Sequence, residues 1–552
     1  MLLRYITSKT LTIVLLVEWL ISIIYSYFII PPRVDDGYYL MPALSVANGY
    51  PPGIFFGEEF RSLFFILPTQ PFINGLFLSL ISLFGFEFDI YSYRLLNFIV
   101  TIIVLIFITF LLNDITKSHK YHNLTTNIFL IIISLTPFAT NFYVNRPENM
   151  GLLLLFLAIY LVNRISFYKK NELSLMFSIG ILIGITATIH PNFTLFSSII
   201  FLIAGYKFFI NDSTKKSRIL MFSIGLILPI TIFSSWILYN FEIASDQLLN
   251  RIDEISHPGS FISIPESFSV IFKNAFFLME ESWINKIYHS IFMLPFIISL
   301  ALSILLIINI RKNDVVRPFY KKVLFSLVVG SIFLLIIMVP YPPYLSSISF
   351  IITLVSAIFI SQKVVKLKQI KNNIILVPIL FTLTILPLSP LITHSAKLKS
   401  TNNSYYNINR TSSVISNLIL EDDIIIITSG QLLPPFIQII DKQLKTKKIK
   451  LFWLFPAAQN PGKDFKLLFI KELNTVLSIE NKSNTIWGNL KKGLNYSNDN
   501  QEVCIALKGN HYIKLINIDI LFEDRDNIFF RPNSFTNYAD INQCISSFKK
   551  II

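Results

Sequence analysis

The feature that most limits what this chain can become is a succession of long apolar runs separated by short polar links. A helix needs about 20 apolar residues to cross roughly 30 Å of hydrocarbon. Runs of that kind fall at 11–30, 94–112, 125–143, 149–165, 172–189, 192–208, 218–239, 289–309, 319–340, 343–361 and 373–392, which predicts about eleven membrane-spanning helices. Composition agrees: 53% of residues are hydrophobic and 14% charged, with a mean hydropathy of +0.61, more apolar than a soluble domain. The first run is too long for the core of a cleaved signal. It ends in Pro31-Pro32-Arg33 without a small-residue cleavage site, so it is read as a spanning helix.

The net charge of +14 would suggest nucleic acid in a soluble protein. Here Lys and Arg cluster in the links between apolar runs, where membrane orientation explains them, and no nucleic-acid partner is expected. With the N-terminus cytoplasmic, one set of alternate links carries Lys117 and Lys120; Arg164, Lys169 and Lys170; Lys207, Lys215, Lys216 and Arg218; Arg311, Lys312, Arg317, Lys321 and Lys322; and Lys363, Lys366, Lys368 and Lys371. The short opposite links carry Arg146, then His190, then the Tyr341-Pro-Pro-Tyr344 turn. This asymmetry holds only if a further apolar run, 72–84, does not cross. That run is short, follows Pro68 and Pro71, and carries Gly75, Ser79 and Ser82 as a narrow small-polar stripe, as suits a helix lying in the outer interface.

The expected outer, extracytoplasmic face therefore holds a first loop of residues 31–93, turns at 143–148, 189–192 and 340–343, a loop at 240–288, and everything after about 393. The membrane domain is read as 1–395. Residues 396–552 have soluble-like composition, with strand-like runs at 424–428, 450–455, 503–507 and 512–518 and helix-like segments near 431–442 and 464–478. They predict a C-terminal extracytoplasmic α/β domain. Cys504 and Cys544 both lie in it; a disulfide and two unpaired thiols are equally open.

Ionisable groups at a membrane boundary are costly and draw a functional reading. The first loop opens with Arg33-Val-Asp35-Asp36-Gly37-Tyr38-Tyr39, which sets two carboxylates where the chain leaves the lipid. Such a pair can take a proton from a hydroxyl or hold a divalent cation, with Asp35 the ligand if a metal is used. It can also simply cap the helix that follows, from Tyr38 onward. In Asn145-Arg146-Pro147-Glu148 a cation and a carboxylate bracket the proline that opens the fourth span. That pattern suits helix initiation as well as a second acidic group facing Asp35. Arg94 opens the second span as an interfacial anchor or a phosphate ligand, since guanidinium matches phosphate oxygens in a fork. His190-Pro191-Asn192 forms another outer turn, and Tyr341 and Tyr344 suit an interfacial belt. There is no metal-ligand cluster, Walker loop, dinucleotide fingerprint or Ser-His-Asp signature, which argues against nucleotide-driven chemistry.

The order of these features resembles the GT-C superfamily of polyprenyl-phosphate-dependent glycosyltransferases, and within it the protein O-mannosyltransferases and lipid A aminoarabinose transferases. The matching residues are Asp35-Asp36 with Tyr39, the segment from Pro71 to Gly85, and Arg94-Leu95-Leu96. The chain departs from the family in two places: its acidic pair is Asp-Asp where Asp-Glu is usual, and Thr69-Gln70-Pro71 stands where Pro-Pro is usual. The resemblance implies a GT-C-like catalytic domain in the cell membrane, moving a hexosyl or pentosyl unit from a polyprenyl-phosphate donor to a hydroxyl of protein, lipid or glycan with inversion. It implies Asp35 as base or cation ligand, with Asp36 and Glu148 in support. Arg94, Arg146 and Arg33 are its candidates for the donor phosphate, and Tyr39 and His190 for substrate contacts.

Two other readings stand beside it. A transporter or flippase for lipid-linked saccharides would show repeats and mid-span polar groups; no repeat is visible and Glu18 in the first span is the exception to near charge-free span centres. A polysaccharide polymerase or ligase would use the same acids and arginines on the same face.

Overall fold

The computed structural model describes residues 8–29, 34–56, 59–62, 67–86, 90–116, 119–142, 146–165, 171–210, 215–242, 244–245, 301, 316–337 and 345–366. In the tail it describes the backbone of strands within 424–538. The described helices are α1 (Lys9–Ile29), α2 (Val34–Ala47), α3 (Thr69–Ser82), α4 (Ile90–Ile115), α5 (His119–Ile133), α6 (Pro137–Asn141), α7 (Pro147–Arg164), α8 (Glu172–Ile189), α9 (Pro191–Ile210), α10 (Lys215–Tyr239), α11 (Pro318–Ile337) and α12 (Leu345–Lys366). Six of them, α1, α4, α8, α10, α11 and α12, are long and apolar enough to cross a membrane by length and composition. Nine of the eleven predicted runs fall on described helices. The run at 289–309 lies outside the described residues except for Ala301, and the run at 373–392 lies wholly outside them.

The chain divides into two compact units. One comprises Met1–Ile30, Arg94–Trp236 and Ser256–Ser400; the other comprises Pro31–Tyr93, Ile237–Ile255 and Thr401–Ile552.

In the first unit, α12 is the central helix, almost wholly buried among α5, α6, α7 and α11. Phe350 on α12 meets Phe129 and Phe138 edge-on, each with ring centroids 5.1 Å apart. Lipid tails are as apolar as leucine, so association in a bilayer depends on such close packing and on hydrogen bonds between helices. The chain uses both. Thr125 of α5 donates to Ser361 of α12 at 2.8 Å, and the Trp19 indole of α1 donates to the Leu130 carbonyl of α5 at 3.0 Å. Gly180 and Gly184 of α8 lie four apart and face α10, Gly180 against Phe222 and Gly225, and Gly184 against Leu226 and Pro229. A Cβ at Gly180 would run into the Phe222 carbonyl oxygen, so the two backbones approach as only small residues permit.

The predicted span 125–143 is broken in two. Thr136 is extended (φ −124, ψ 167) and Pro137 opens α6, because a proline ring blocks the carbonyl one turn back and disfavours helix in the residue before it. Hydroxyls cover the freed carbonyls: Ser134 donates to Ile131 at 2.5 Å and Thr136 to Ile133 at 2.8 Å.

Asp114, buried near the end of α4, ties three helix ends together. Its Oδ1 accepts from Arg164 of α7 at 2.9 Å and from Arg317, which precedes α11, at 3.2 Å. Its Oδ2 accepts from Asn163 at 2.8 Å and from the Tyr320 hydroxyl. Lys207 of α9 donates to the Val162 carbonyl at 2.7 Å beside them. The C-terminal ends of α4, α7 and α9 and the N-terminal end of α11 thus lie at one end of this unit. The opposite ends of α4, α7 and α9, which carry Arg94, Arg146, Glu148 and His190, follow from that direction.

In the second unit α2 packs on α3. A Cβ at Gly75 would clash with the Val46 side chain and the Ala43 carbonyl, and Ser79 donates to the Ala47 carbonyl at 3.3 Å. The small residues of α3 therefore form its contact with α2, while Phe72, Leu76, Leu80 and Leu83 are exposed. At 14 residues α3 is about 21 Å long, short of the hydrocarbon thickness. It ends at a turn in which Gly85 takes φ +83, a conformation that suits glycine. An antiparallel hairpin, β1 (Gly53–Phe56) and β2 (Glu59–Ser62), pairs Gly53 with Ser62 and Phe56 with Glu59.

The tail contributes β3 (Ile424–Ile427), β4 (Lys450–Trp453), β5 (Ile486–Lys491), β6 (Tyr496–Ser497), β7 (Glu502–Leu507), β8 (His511–Glu523) and β9 (Asn527–Tyr538). They form one sheet in the order β4-β3-β5-β9-β8-β7-β6, in which β3 runs parallel to β4 and β5 and the remaining pairs are antiparallel. The four predicted strand runs fall on β3, β4, β7 and β8. The helix-like segments at 431–442 and 464–478, and Cys544, lie outside the described residues.

Candidate functional site

The N-terminal ends of α4 and α7 are locked by buried amides. Asn149, in the first turn of α7, donates from Nδ2 to Asn97 Oδ1 at 3.1 Å, to Thr101 Oγ1 at 2.8 Å and to the Phe142 carbonyl at 2.9 Å. Asn97 Nδ2 donates to the same carbonyl at 2.8 Å. Phe142 follows α6, so the network closes the break at Pro137 onto two helices. Arg94 stands one turn before Asn97 on α4 and is 1% exposed. These amides escaped the sequence reading. The available signal was a pair of asparagines inside otherwise apolar runs, where polar groups are rare and bonded.

Arg146 and Glu148 form a buried pair. Arg146 Nε donates to both carboxylate oxygens, at 3.1 and 3.2 Å, and its Nη2 donates to Oε1 at 2.9 Å. Arg146 takes an extended backbone (φ −124, ψ 160) before Pro147, and Glu148 sits in the first turn of α7. There its charge is favourable both to the guanidinium and to the free N–H groups of the helix start. Of the sequence-derived candidates, these two are brought into direct contact.

His190 is buried and ends α8 in extended conformation (φ −162, ψ 145). Its Nδ1 accepts the backbone N–H of Asn192 at 3.3 Å, and its carbonyl accepts from Phe193 at 2.9 Å. It thus serves as the cap of α9, and the acceptor role of Nδ1 places the ring proton of the neutral form on Nε2.

In the second unit the acidic pair lies inside a helix. α2 begins at Val34, earlier than the predicted start at Tyr38, so Asp35 and Asp36 fall in its first turn. Asp36 is fully buried, and Tyr39, one turn on, is buried as well. Arg33, Tyr341 and Tyr344 lie outside the described residues. Among the described residues no group of three or more His, Cys, Asp and Glu is placed to hold a metal ion.

The fold and these buried polar ends define a polytopic α-helical membrane protein with charged residues gathered at helix termini. The chain is similar to ArnT from Cupriavidus metallidurans, a crystal structure of the apo state, at a TM-score of 0.43 and 9% identity over 95% of this chain and 97% of that one. No known family model matches the chain, and no curated protein does.

Proposed function

We propose that this protein is a membrane glycosyltransferase of GT-C type that transfers a sugar from a polyprenyl-phosphate donor to an acceptor hydroxyl on the extracytoplasmic face. The observation that carries the reading is the placement of Arg94 and the Arg146–Glu148 pair, all buried, at the ends of α4 and α7 opposite to the Asp114 cluster. Arg164 and Arg317, from two of the basic links, meet at Asp114 with Lys207 close by, as the positive-inside rule asks of a cytoplasmic end. That leaves Arg94, Arg146, Glu148 and His190 at the opposite end of this unit.

The chemistry suits those groups. The acceptor oxygen attacks the anomeric carbon, the bond from that carbon to the phosphate oxygen breaks, and polyprenyl phosphate departs with the bonding pair. In this reading the acceptor's proton passes to Asp35, with Asp36 in support and Tyr39 as a substrate contact. The leaving group is already a phosphate and needs no acid. It needs cations, which Arg94 supplies with Arg33. Glu148 holds Arg146 in place, so Arg146 adds field at the site with two of its nitrogens already engaged. One displacement inverts the anomeric centre.

The test uses the full-length chain in liposomes with labelled polyprenyl-phosphate hexose and pentose donors, reading release of polyprenyl phosphate. Wild type is expected to turn over, and Asp35→Asn and Arg94→Gln to fall by about 100-fold or more at unchanged expression. Transfer by Asp35→Asn at the wild-type rate would remove Asp35 as the base, and failure of the wild type with every donor would remove the reading.

A further inference from the structure

Gln70 is a buried polar residue that the packing of α3 leaves unexplained. It is 2% exposed in the first turn of that helix, and its Nε2 donates to Asn74 Oδ1 at 3.3 Å. Its Oε1 is buried and finds no hydrogen-bond partner among the described residues. A carboxamide oxygen can accept two hydrogen bonds, and burying it with none costs free energy that an apolar side chain of the same size would not. Such a group asks for an explanation, and a donor brought by a ligand supplies one. The bond to Asn74 is at the long end for an amide pair, so the side chain gives it up at little cost.

The register of α2 against α3 sets where Gln70 stands. Gly75 meets Ala43 and Val46, and Ser79, one turn on, donates to the Ala47 carbonyl. The two helices therefore run side by side in the same direction, with their N-terminal ends together. Counting back from those contacts sets Gln70 level with Tyr39 and about one turn, roughly 5 Å of rise, from Asp36. Both of those residues are buried. Gln70 and Asn74 share the buried flank of α3, turned away from the exposed Phe72, Leu76 and Leu80.

We propose that Gln70 is a specificity residue for the sugar of the lipid-linked donor, its Oε1 accepting a hydroxyl at the end of the α2–α3 pair that carries the acidic residues. This rests on the proposed transfer and names the part of the donor that is read. The chemistry selects a hydroxyl: Oε1 only accepts, a phosphodiester has no proton to give, and every hexose or pentose ring carries O–H donors. A site built around a buried acceptor rejects a ligand that brings no donor, because the acceptor is then left unpaired. Gln70 thus favours the glycosylated carrier over polyprenyl phosphate, the product that has lost its sugar.

The experiment is a titration of the detergent-solubilised full-length chain with polyprenyl-phosphate hexose, polyprenyl-phosphate pentose and bare polyprenyl phosphate, read by native mass spectrometry, with a thermal midpoint for each variant. Wild type is expected to bind a glycosylated lipid about tenfold more tightly than the bare one. Gln70→Met, similar in length but without the carboxamide, is expected to lose that preference, to bind the bare lipid as wild type does, and to keep or raise the midpoint. A glutamine that only braces α3 would give the reverse, a lower midpoint with the preference intact, and that result overturns the proposal. So does a wild type that binds bare and glycosylated lipid equally, or a Gln70→Met that weakens both alike. Gln70→Leu repeats the test, and failure of both variants to fold would make the residue structural and overturn the proposal as well. Absent turnover in liposomes with the preference intact would count against the transfer reaction and leave this contact standing.

Discussion

Asn149 and Asn97 meet through their carboxamides at 3.1 Å, across 52 residues of sequence and between two helices that begin at the same end of the membrane domain. Because Asn97 lies one turn from Arg94 and Asn149 follows Glu148, this contact sets the charged residues of α4 relative to those of α7. Asn149→Ala leaves the Phe142 carbonyl and the Thr101 hydroxyl with fewer partners. It is expected to destabilise the protein by about 0.6–2 kcal/mol, the range for hydrogen bonds between membrane helices. An unchanged midpoint in a detergent-denaturation titration would show that the network contributes nothing.

The Arg146–Glu148 pair allows a sharper measurement. Removing one member of a buried ion pair strands the other, so Glu148→Ala alone is expected to cost about 3–5 kcal/mol. Replacing both, as Arg146→Met with Glu148→Leu, is expected to cost less than the single change. If the double variant is as unstable as the sum of the two singles, the charges are not coupled as their geometry requires.

Two glycines should respond differently to the same added methyl group. At Gly180 a Cβ meets the backbone of α10, which cannot move without separating the helices. At Gly330 it meets the Cδ1 of Ile199, the mobile tip of a side chain. Gly180→Ala is expected to cost about 1–3 kcal/mol and Gly330→Ala clearly less, read as thermal midpoints of the purified protein. Equal losses would mean that the α8–α10 approach is looser than described.

Much of the architecture was readable because lipid imposes one solution, the long apolar helix, on any chain that crosses it. The interruption at Thr136-Pro137 was not read, since an apolar run gives no hydropathy signal at a proline. The stripe of Gly75, Ser79 and Ser82 was read as a polar edge, whereas Gly75 and Ser79 mark where α2 lies against α3. Small residues carry the same signal for both. In the tail, Ile424–Ile427 and His511–Glu523 announced themselves by β-branched runs. Asn527–Tyr538 did not, because Pro532 and its asparagines read as loop. For the candidate site, the charged residues were legible as boundary residues. Their pairing was not: whether Arg146 turns to Glu148 or to a ligand depends on backbone angles at the turn. The role of Asn149 depends on a contact 52 residues away.

The proposed transfer requires that the first acidic loop and the turns at Arg146 and His190 face one compartment, away from the cytoplasm, where a lipid-linked sugar would be consumed. The most direct measurement is labelling of single cysteines by a membrane-impermeant thiol reagent in intact cells, after Cys504→Ser and Cys544→Ser. Tyr50→Cys and Pro191→Cys, both at exposed positions, are expected to label from outside, and Lys216→Cys only after permeabilisation. Labelling of Tyr50→Cys and Pro191→Cys from opposite sides would separate the acids from the arginines and contradict the proposed enzyme.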